Sequence, residues 1–312
     1  MIIKKFIPRI IKHSNKVKIT FSIFFVLILY FNFFQPSSFE LMKNLHIQVI
    51  LLLIILTIFT LIIRALRWKY MIRLLGYEIR LKNSIQLYAV GIYYGSISPA
   101  KLGEFIKVYH LKDYNIPYNE GFGSIIYERF FDIALAVAVV GQYFFLTPTD
   151  NALYFVFIAF LLTTFLWFGF MLSFGYCKKM IPYLKTLKNI PINNVRPVLM
   201  SGLFTILNGV CFATIAFVIL CSFDIHVNFL YVLFSVSIAT LSSLLPITFG
   251  GWGVREGIYI TMLSSFALPS DIILFSVVFV IFTTYLIAII GLLFELVIGY
   301  KKPLTFHNGE KT

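Results

Sequence analysis

The chain has 312 residues, of which 60% are hydrophobic, 18% aromatic and only 12% charged. A soluble domain carries about 25% charged residues and roughly 45–50% apolar ones, so this composition excludes a soluble globular enzyme and points to an all-α polytopic membrane protein. The formal charge of +13 does not indicate a nucleic-acid partner, because the basic residues collect at the ends of apolar runs, as in cytoplasmic loops.

Residues 1–18 hold Lys4, Lys5, Arg9, Lys12, Lys16 and Lys18, and the apolar stretch Ile19–Phe34 follows. No small-residue cleavage site comes after it, so it reads as an uncleaved first span with a cytoplasmic N-terminus. The loop to Leu45 has Lys43 as its sole basic residue and is expected outside. His46–Ile63 returns the chain inward and ends in R-A-L-R-W-K-Y-M-I-R. Arg64, Arg67 and Trp68 are expected there as an interfacial collar. They form either a positive-inside anchor with snorkelling side chains or a basic band that gathers anionic headgroups.

Asn83–Ser98 is short for a span and stops at S-I-S-P-A-K-L-G-E-F-I-K, after which Leu102–Lys112 forms a second short segment. The pair reads as a re-entrant hairpin opening to the cytoplasm, with an amphipathic surface pair as the alternative. Gly121–Leu146 is long enough to span but opens with Y-E-R-F-F-D. There Glu128 and Asp132, four apart, share a helix face beside Arg129. Asn151–Phe174 comes back in, a Lys-rich loop is cytoplasmic, and Pro197–Cys221 crosses outward.

Asn228–Pro246, the turn G-G-W-G-V-R-E-G and Val254–Phe266 form a second hairpin, open to the outside, and the last span runs to Gly299. The expected fold is therefore about six full spans plus two re-entrant helical hairpins of opposite orientation, eight hydrophobic units in all. They make one integral membrane domain over 1–312, with the membrane region at 19–299 and a cytoplasmic tail at 300–312. The expected location is the cytoplasmic (inner) membrane, with both termini inside.

Each hairpin carries a proline, a glycine turn, a basic residue and a glutamate: Pro99, Lys101, Gly103 and Glu104 against Pro246, Gly253, Arg255 and Glu256. Broken helices facing each other within inverted halves are a way to build a midplane transport site; an inverted repeat is one reading of the pattern, and chance similarity is the other. Gly251, Trp252 and Gly253 precede a helix start at Val254, whose free N–H groups beside Arg255 form an expected anion seat.

Lys101, Lys107, Arg129 and Arg255 balance Glu104, Glu128, Asp132 and Glu256. A charge at a helix centre costs about 2.5–3.5 kcal/mol, so these eight would cost on the order of 20 kcal/mol unpaired. Pairing is therefore expected. Buried ion pairs that only fix register are the bland reading; a polar cavity that binds a headgroup is the favoured one. No Walker loop, HExxH, nucleophile elbow or CxxC pair occurs, and Cys177, Cys211 and Cys221 lack metal-ligand spacing. No cofactor, metal or catalysis is expected.

Four motifs in this order resemble the flippase-like transmembrane region of lysylphosphatidylglycerol synthases and their stand-alone relatives. They are R-x-x-R-W at Arg64–Trp68, S-P-A-K-L-G-E-F-I-K at Ser98–Lys107, E-R-F-F-D at Glu128–Asp132 and G-G-W-G-V-R-E-G at Gly250–Gly257. The resemblance covers roughly Ile63 to Gly299. It implies a multi-pass domain that moves polar lipids between leaflets, in some members aminoacylated phosphatidylglycerol. Lys101 and Lys107 stand where such motifs usually have arginine, which keeps charge and loses the bidentate fork. The synthase domain of two-domain members has no counterpart in this sequence, so the chain is not expected to make the aminoacylated lipid.

The leading expectation is a translocase for a lipid with an anionic, aminoacylated or glycan-linked headgroup. Its partners would be membrane lipids and a separate lipid-modifying or glycan-synthesis enzyme. The alternatives are a membrane glycosyltransferase or an accessory subunit of a glycolipid pathway, disfavoured by short external loops, and an ion or small-solute transporter.

Overall fold

In hydrocarbon every backbone N–H and C=O must find its partner internally, and for runs of this length the α-helix does so within one segment. The computed structural model describes residues 36–96, 98, 103–146, 195–244 and 253–299, and every regular element among them is helical. After a 3-10 segment at Pro36–Asn44 come α1 (Ile47–Leu74), α2 (Leu81–Ser96), α3 (Ile106–Leu111), α4 (Tyr118–Leu146), α5 (Val195–Ser222) and α6 (Phe229–Leu244). Then follow α7 (Val254–Leu263), α8 (Pro269–Val280), a π turn at Ile281–Tyr285, and α9 (Leu286–Gly299).

Three described segments are long and apolar enough to cross a membrane: α1, Arg196–Ser222 of α5, and Pro269–Leu296 running through α8, the π turn and α9. The 29-residue α4 is the helix expected from Gly121–Leu146, and it carries the E-R-F-F-D charges. The other two expected spans, Ile19–Phe34 and Asn151–Phe174, lie outside the described residues.

One boundary differs from expectation. α1 does not stop at Ile63 but runs unbroken to Leu74. Its end is set by Gly76, at φ +90, whose N–H bonds Arg73 O at 3.0 Å while the Tyr77 N–H bonds Ile72 O at 3.2 Å. That is a left-handed closure open to glycine at little cost.

The helices invert soluble amphipathicity. On α5, Leu199, Leu203, Ile206 and Val210 are exposed in a stripe, whereas Ser201 and Thr205 are buried on the other face. The same holds on α1, where Leu51, Ile55 and Ile58 are exposed while Thr57 and Thr60 are buried. Lipid accepts the apolar stripe, and the hydroxyls of Thr57, Thr60 and Thr205 bond carbonyls of their own helices.

α2 and α3 pack as one hairpin against α1 and α9, and α6 and α7 pack as another against α4, α5 and α8. A Cβ at Gly291 of α9 would lie 2.1 Å from the Ala89 carbonyl oxygen of α2. Such close backbone approach through small residues is how helices associate where hydrophobicity supplies no drive. One apolar cluster holds Ile215, Ile219, Tyr259, Phe275 and Phe279, from α5, α7 and α8. A second holds Ala65, Trp68, Leu87 and Ile287, from α1, α2 and α9. Members of both line a charged cavity between them.

Candidate functional site

The four-residue spacing of Glu128 and Asp132 on α4 aims both carboxylates at α1. Arg67 answers with Nη2 on Glu128 Oε1 at 2.7 Å and Nη1 on Asp132 Oδ1 at 2.5 Å. Glu128 takes two further donors, Lys107 Nζ on Oε2 at 2.6 Å and the Tyr88 hydroxyl on Oε1. Arg129, one position round the helix, pairs with Glu104 at the start of the second hairpin arm and lies 3.7 Å from Asp132 Oδ2. The cluster is balanced, with Arg67, Lys107 and Arg129 against Glu104, Glu128 and Asp132. Balance is what permits three positive charges in this interior, since an uncompensated buried charge costs several kcal/mol.

The apolar frame around the cluster is shaped to admit it. Lys107 Nζ lies 4.4 Å from the centre of the Tyr88 ring and 5.2 Å from that of Trp68. Trp68 is fixed in turn by its indole N–H on Ser124 Oγ at 2.9 Å. On α2, Gly95 leaves room for Glu104, whose Cγ would sit 2.7 Å from an added Cβ. Gly103 lets the second arm turn back against α2: a Cβ there would meet the Tyr94 carbonyl oxygen at 2.0 Å, and its N–H bonds Ser98 Oγ at 2.6 Å.

The second hairpin is built differently from the expected anion seat. Gly253, at φ +88, opens α7 as its N-cap. The Gly253 N–H donates to Glu256 Oε2 at 2.6 Å, the side-chain-to-backbone half of a capping box. Glu256 Oε1 accepts from Arg255 Nη2 at 2.5 Å and from Ser276 Oγ of α8 at 2.9 Å. The protein's own carboxylate thus occupies the helix N-terminus, and Arg255 is already paired.

These two constellations meet at one cavity of about 170 Å³, lined by Glu104, Arg129 and Asp132 from the first and by Arg255 from the second. It has room for several waters or one compact polar group, and falls below the ~300–1,000 Å³ of a drug-sized pocket. Tyr259, Phe212 and Phe279 contribute apolar wall, and Thr283 of the π turn a polar one. π turns recur at functional positions, and this one brings the α8–α9 rod to the cavity.

Of the sequence-predicted residues, Glu104, Lys107, Glu128, Arg129 and Asp132 come together, and Arg255, Glu256 and Gly253 form the second group. Lys101, Gly251 and Trp252 lie outside the described residues. The expected collar does not form as an exposed band: Arg67 and Trp68 are buried at 2% and 0% exposure, and Arg64 lines the cavity. The physical reason is the pair of α4 carboxylates, which offers Arg67 a better partner than the membrane surface. Sequence reasoning missed Tyr88, Asn208 and Ser276. Their signal was faint, a lone polar group within an apolar helix.

The family described as the lysylphosphatidylglycerol synthase TM region matches residues 16–291 of the chain. A UPF0104 membrane protein of Methanocaldococcus jannaschii is 31% identical over 99 residues, a match covering 31% of this chain and 30% of that protein. No solved structure matches.

Proposed function

Because the chain belongs to the lysylphosphatidylglycerol synthase transmembrane-region family, we propose that it moves a polar-headgroup phospholipid between the leaflets of the cytoplasmic membrane. The observation that carries this reading is the shared cavity: ion pairs from both hairpins, Arg129–Glu104 and Arg255–Glu256, border the same small polar space. The hairpins in this reading are re-entrant from opposite sides, so the cavity lies on a path between leaflets.

A 170 Å³ space cannot contain a phospholipid. The headgroup alone enters, and the acyl chains stay in the bilayer. The resting ion pairs give the route its low barrier. A lipid phosphate that approaches Arg255 or Arg129 replaces a carboxylate already bound there, and the freed carboxylate is available to a cationic headgroup such as an aminoacyl amine. With an amine-bearing headgroup no charge is left bare during the exchange, which is the costly alternative in a low-dielectric interior. With phosphatidylglycerol the freed Glu256 carboxylate keeps the Gly253 N–H and the Ser276 hydroxyl. Closure of the space around the headgroup requires the hairpins to part and re-form, a motion of packed helices rather than of loops.

The test is leaflet exchange of fluorescent phosphatidylglycerol in reconstituted vesicles. Wild type accelerates exchange, and the charge-neutral pair variant Arg255→Gln/Glu256→Gln slows it by about tenfold or more, the scale of one charge-assisted contact. Exchange at the wild-type rate in a folded variant contradicts the site.

A further inference from the structure

The cavity is lined by four arginines, and they are not equivalent. Arg67 holds Glu128 and Asp132, Arg129 holds Glu104, and Arg255 holds Glu256. Arg64 meets no carboxylate among the described residues. Its Nε donates to Asn208 Oδ1 of α5 at 3.1 Å, and its guanidinium carbon lies 4.4 Å from the centre of the Phe212 ring. Neither Nη has a hydrogen-bond partner among the described residues, and Asn208 also lines the cavity.

We propose that Arg64 and Asn208 form the resident anion-binding subsite of this cavity, taking a phosphate-class group. This rests on the proposed lipid function for the source of that group, though not for its chemistry.

Three features support the assignment. A guanidinium is a planar fork that matches phosphate oxygens, and it remains charged in any accessible pH range. The bond from Nε to Asn208 fixes the plane of the fork while its two outer nitrogens take no hydrogen-bond partner among the described residues. Acceptance through Oδ1 also leaves the Asn208 amide N–H₂ as a second donor beside it. Stacking on Phe212 holds the third side, an arrangement arginine favours. Against this, Arg255 has to break a bond to Glu256 before it can accept any anion. The subsite thus presents positive charge that the protein has not neutralised with a described residue.

The spacing of Arg64 and Arg67, three apart on α1, makes the assignment mechanistically useful. An anion on Arg64 sits one helical turn from the balanced cluster. It is thereby placed to compete for Arg67 and Arg129 without first crossing apolar wall.

The experiment uses purified full-length protein and two phosphate sources. Inorganic phosphate is titrated by phosphorus NMR, and dioleoylphosphatidylglycerol retention is read by native mass spectrometry from nanodiscs of zwitterionic lipid. Wild type is compared with Arg64→Gln, with Asn208→Asp, which gives Arg64 an internal carboxylate at nearly constant shape, and with Arg73→Gln at the exposed end of α1. The expected result is uptake by wild type and Arg73→Gln, weakened roughly ten- to hundredfold by Arg64→Gln and by Asn208→Asp.

Binding of inorganic phosphate without lipid retention upholds the subsite and removes the lipid as its source. Accelerated lipid exchange by wild type, with both variants binding either probe as tightly, overturns the subsite and leaves the lipid function standing. Failure of wild type to take up either probe overturns the subsite outright.

Discussion

Glu128→Gln is the sharpest perturbation of the charged cluster. Glu128 receives Arg67 Nη2 at 2.7 Å, Lys107 Nζ at 2.6 Å and the Tyr88 hydroxyl, and it is 1% exposed. The amide keeps the shape and removes the charge, so three cations face two carboxylates, a net of +1 in place of zero. Arg67 retains Asp132, while Lys107 loses its carboxylate and, among the described residues, keeps no other ion pair beside the faces of Tyr88 and Trp68. Removing one member of a buried pair costs about 3–5 kcal/mol, which sets the expected destabilisation. Glu128→Gln/Lys107→Gln restores neutrality, with Arg67 and Arg129 against Glu104 and Asp132, and is expected to regain about 2 kcal/mol of that loss, within the range of measured coupling energies. Unfolding in rising fractions of sodium dodecyl sulfate, followed by tryptophan fluorescence, measures both. Single-variant costs that add to the double within about 0.5 kcal/mol would refute Glu128 as the hub of the cluster.

Gly103→Ala places a Cβ 2.0 Å from a backbone oxygen, so the protein should lose about 1–3 kcal/mol or fail to accumulate. Gly257→Ala meets nothing within 4 Å in the body of α7 and should be neutral or stabilising by up to about 1 kcal/mol in the same unfolding assay. Glu256→Gln removes the carboxylate that balances the Arg255 charge, and Arg255→Gln/Glu256→Gln should be the more stable of the two variants by thermal aggregation in detergent. Outside the spans, the Arg73 hydrogen bond and then its charge hold the Glu78 carboxyl below its ordinary value. A depressed carboxylate contributes stability above its unfolded value and loses it as pH falls through the folded one. Glu78→Gln should therefore lower stability slightly at neutral pH and leave it unchanged in acid, where the wild type has already lost the contribution, so that the pH dependence flattens. The effect is small, as fits an exposed pair.

Much of the site was legible because its logic is local. The spacing of Glu128 and Asp132 placed both carboxylates on one face, and the equal numbers of acids and bases called for pairing. The partners of those pairs were less legible. Arg67 looked like a membrane-surface anchor because it follows an apolar run and precedes further basic residues; its true environment depends on carboxylates more than sixty positions away. Glu256 carried a readable signal, an acid three residues after an N-cap glycine. Its position beside an arginine favoured the anion-seat reading instead. Asn208 had no neighbouring motif at all. Its role emerges only when α5 lies against α1 and leaves Arg64 facing an amide rather than a carboxylate.

In the proposed function one small cavity, bordered by both hairpins, is the path of a lipid headgroup. Ala136 lines that cavity from α4 and belongs to no ion pair, so Ala136→Phe blocks the space while leaving every charge in place. Leaflet exchange of fluorescent phosphatidylglycerol in vesicles is the direct measurement. The expected result is exchange faster than in protein-free vesicles with wild type, and exchange reduced towards that background with folded Ala136→Phe. Wild-type vesicles no faster than protein-free ones, or Ala136→Phe vesicles as fast as wild type, would contradict it.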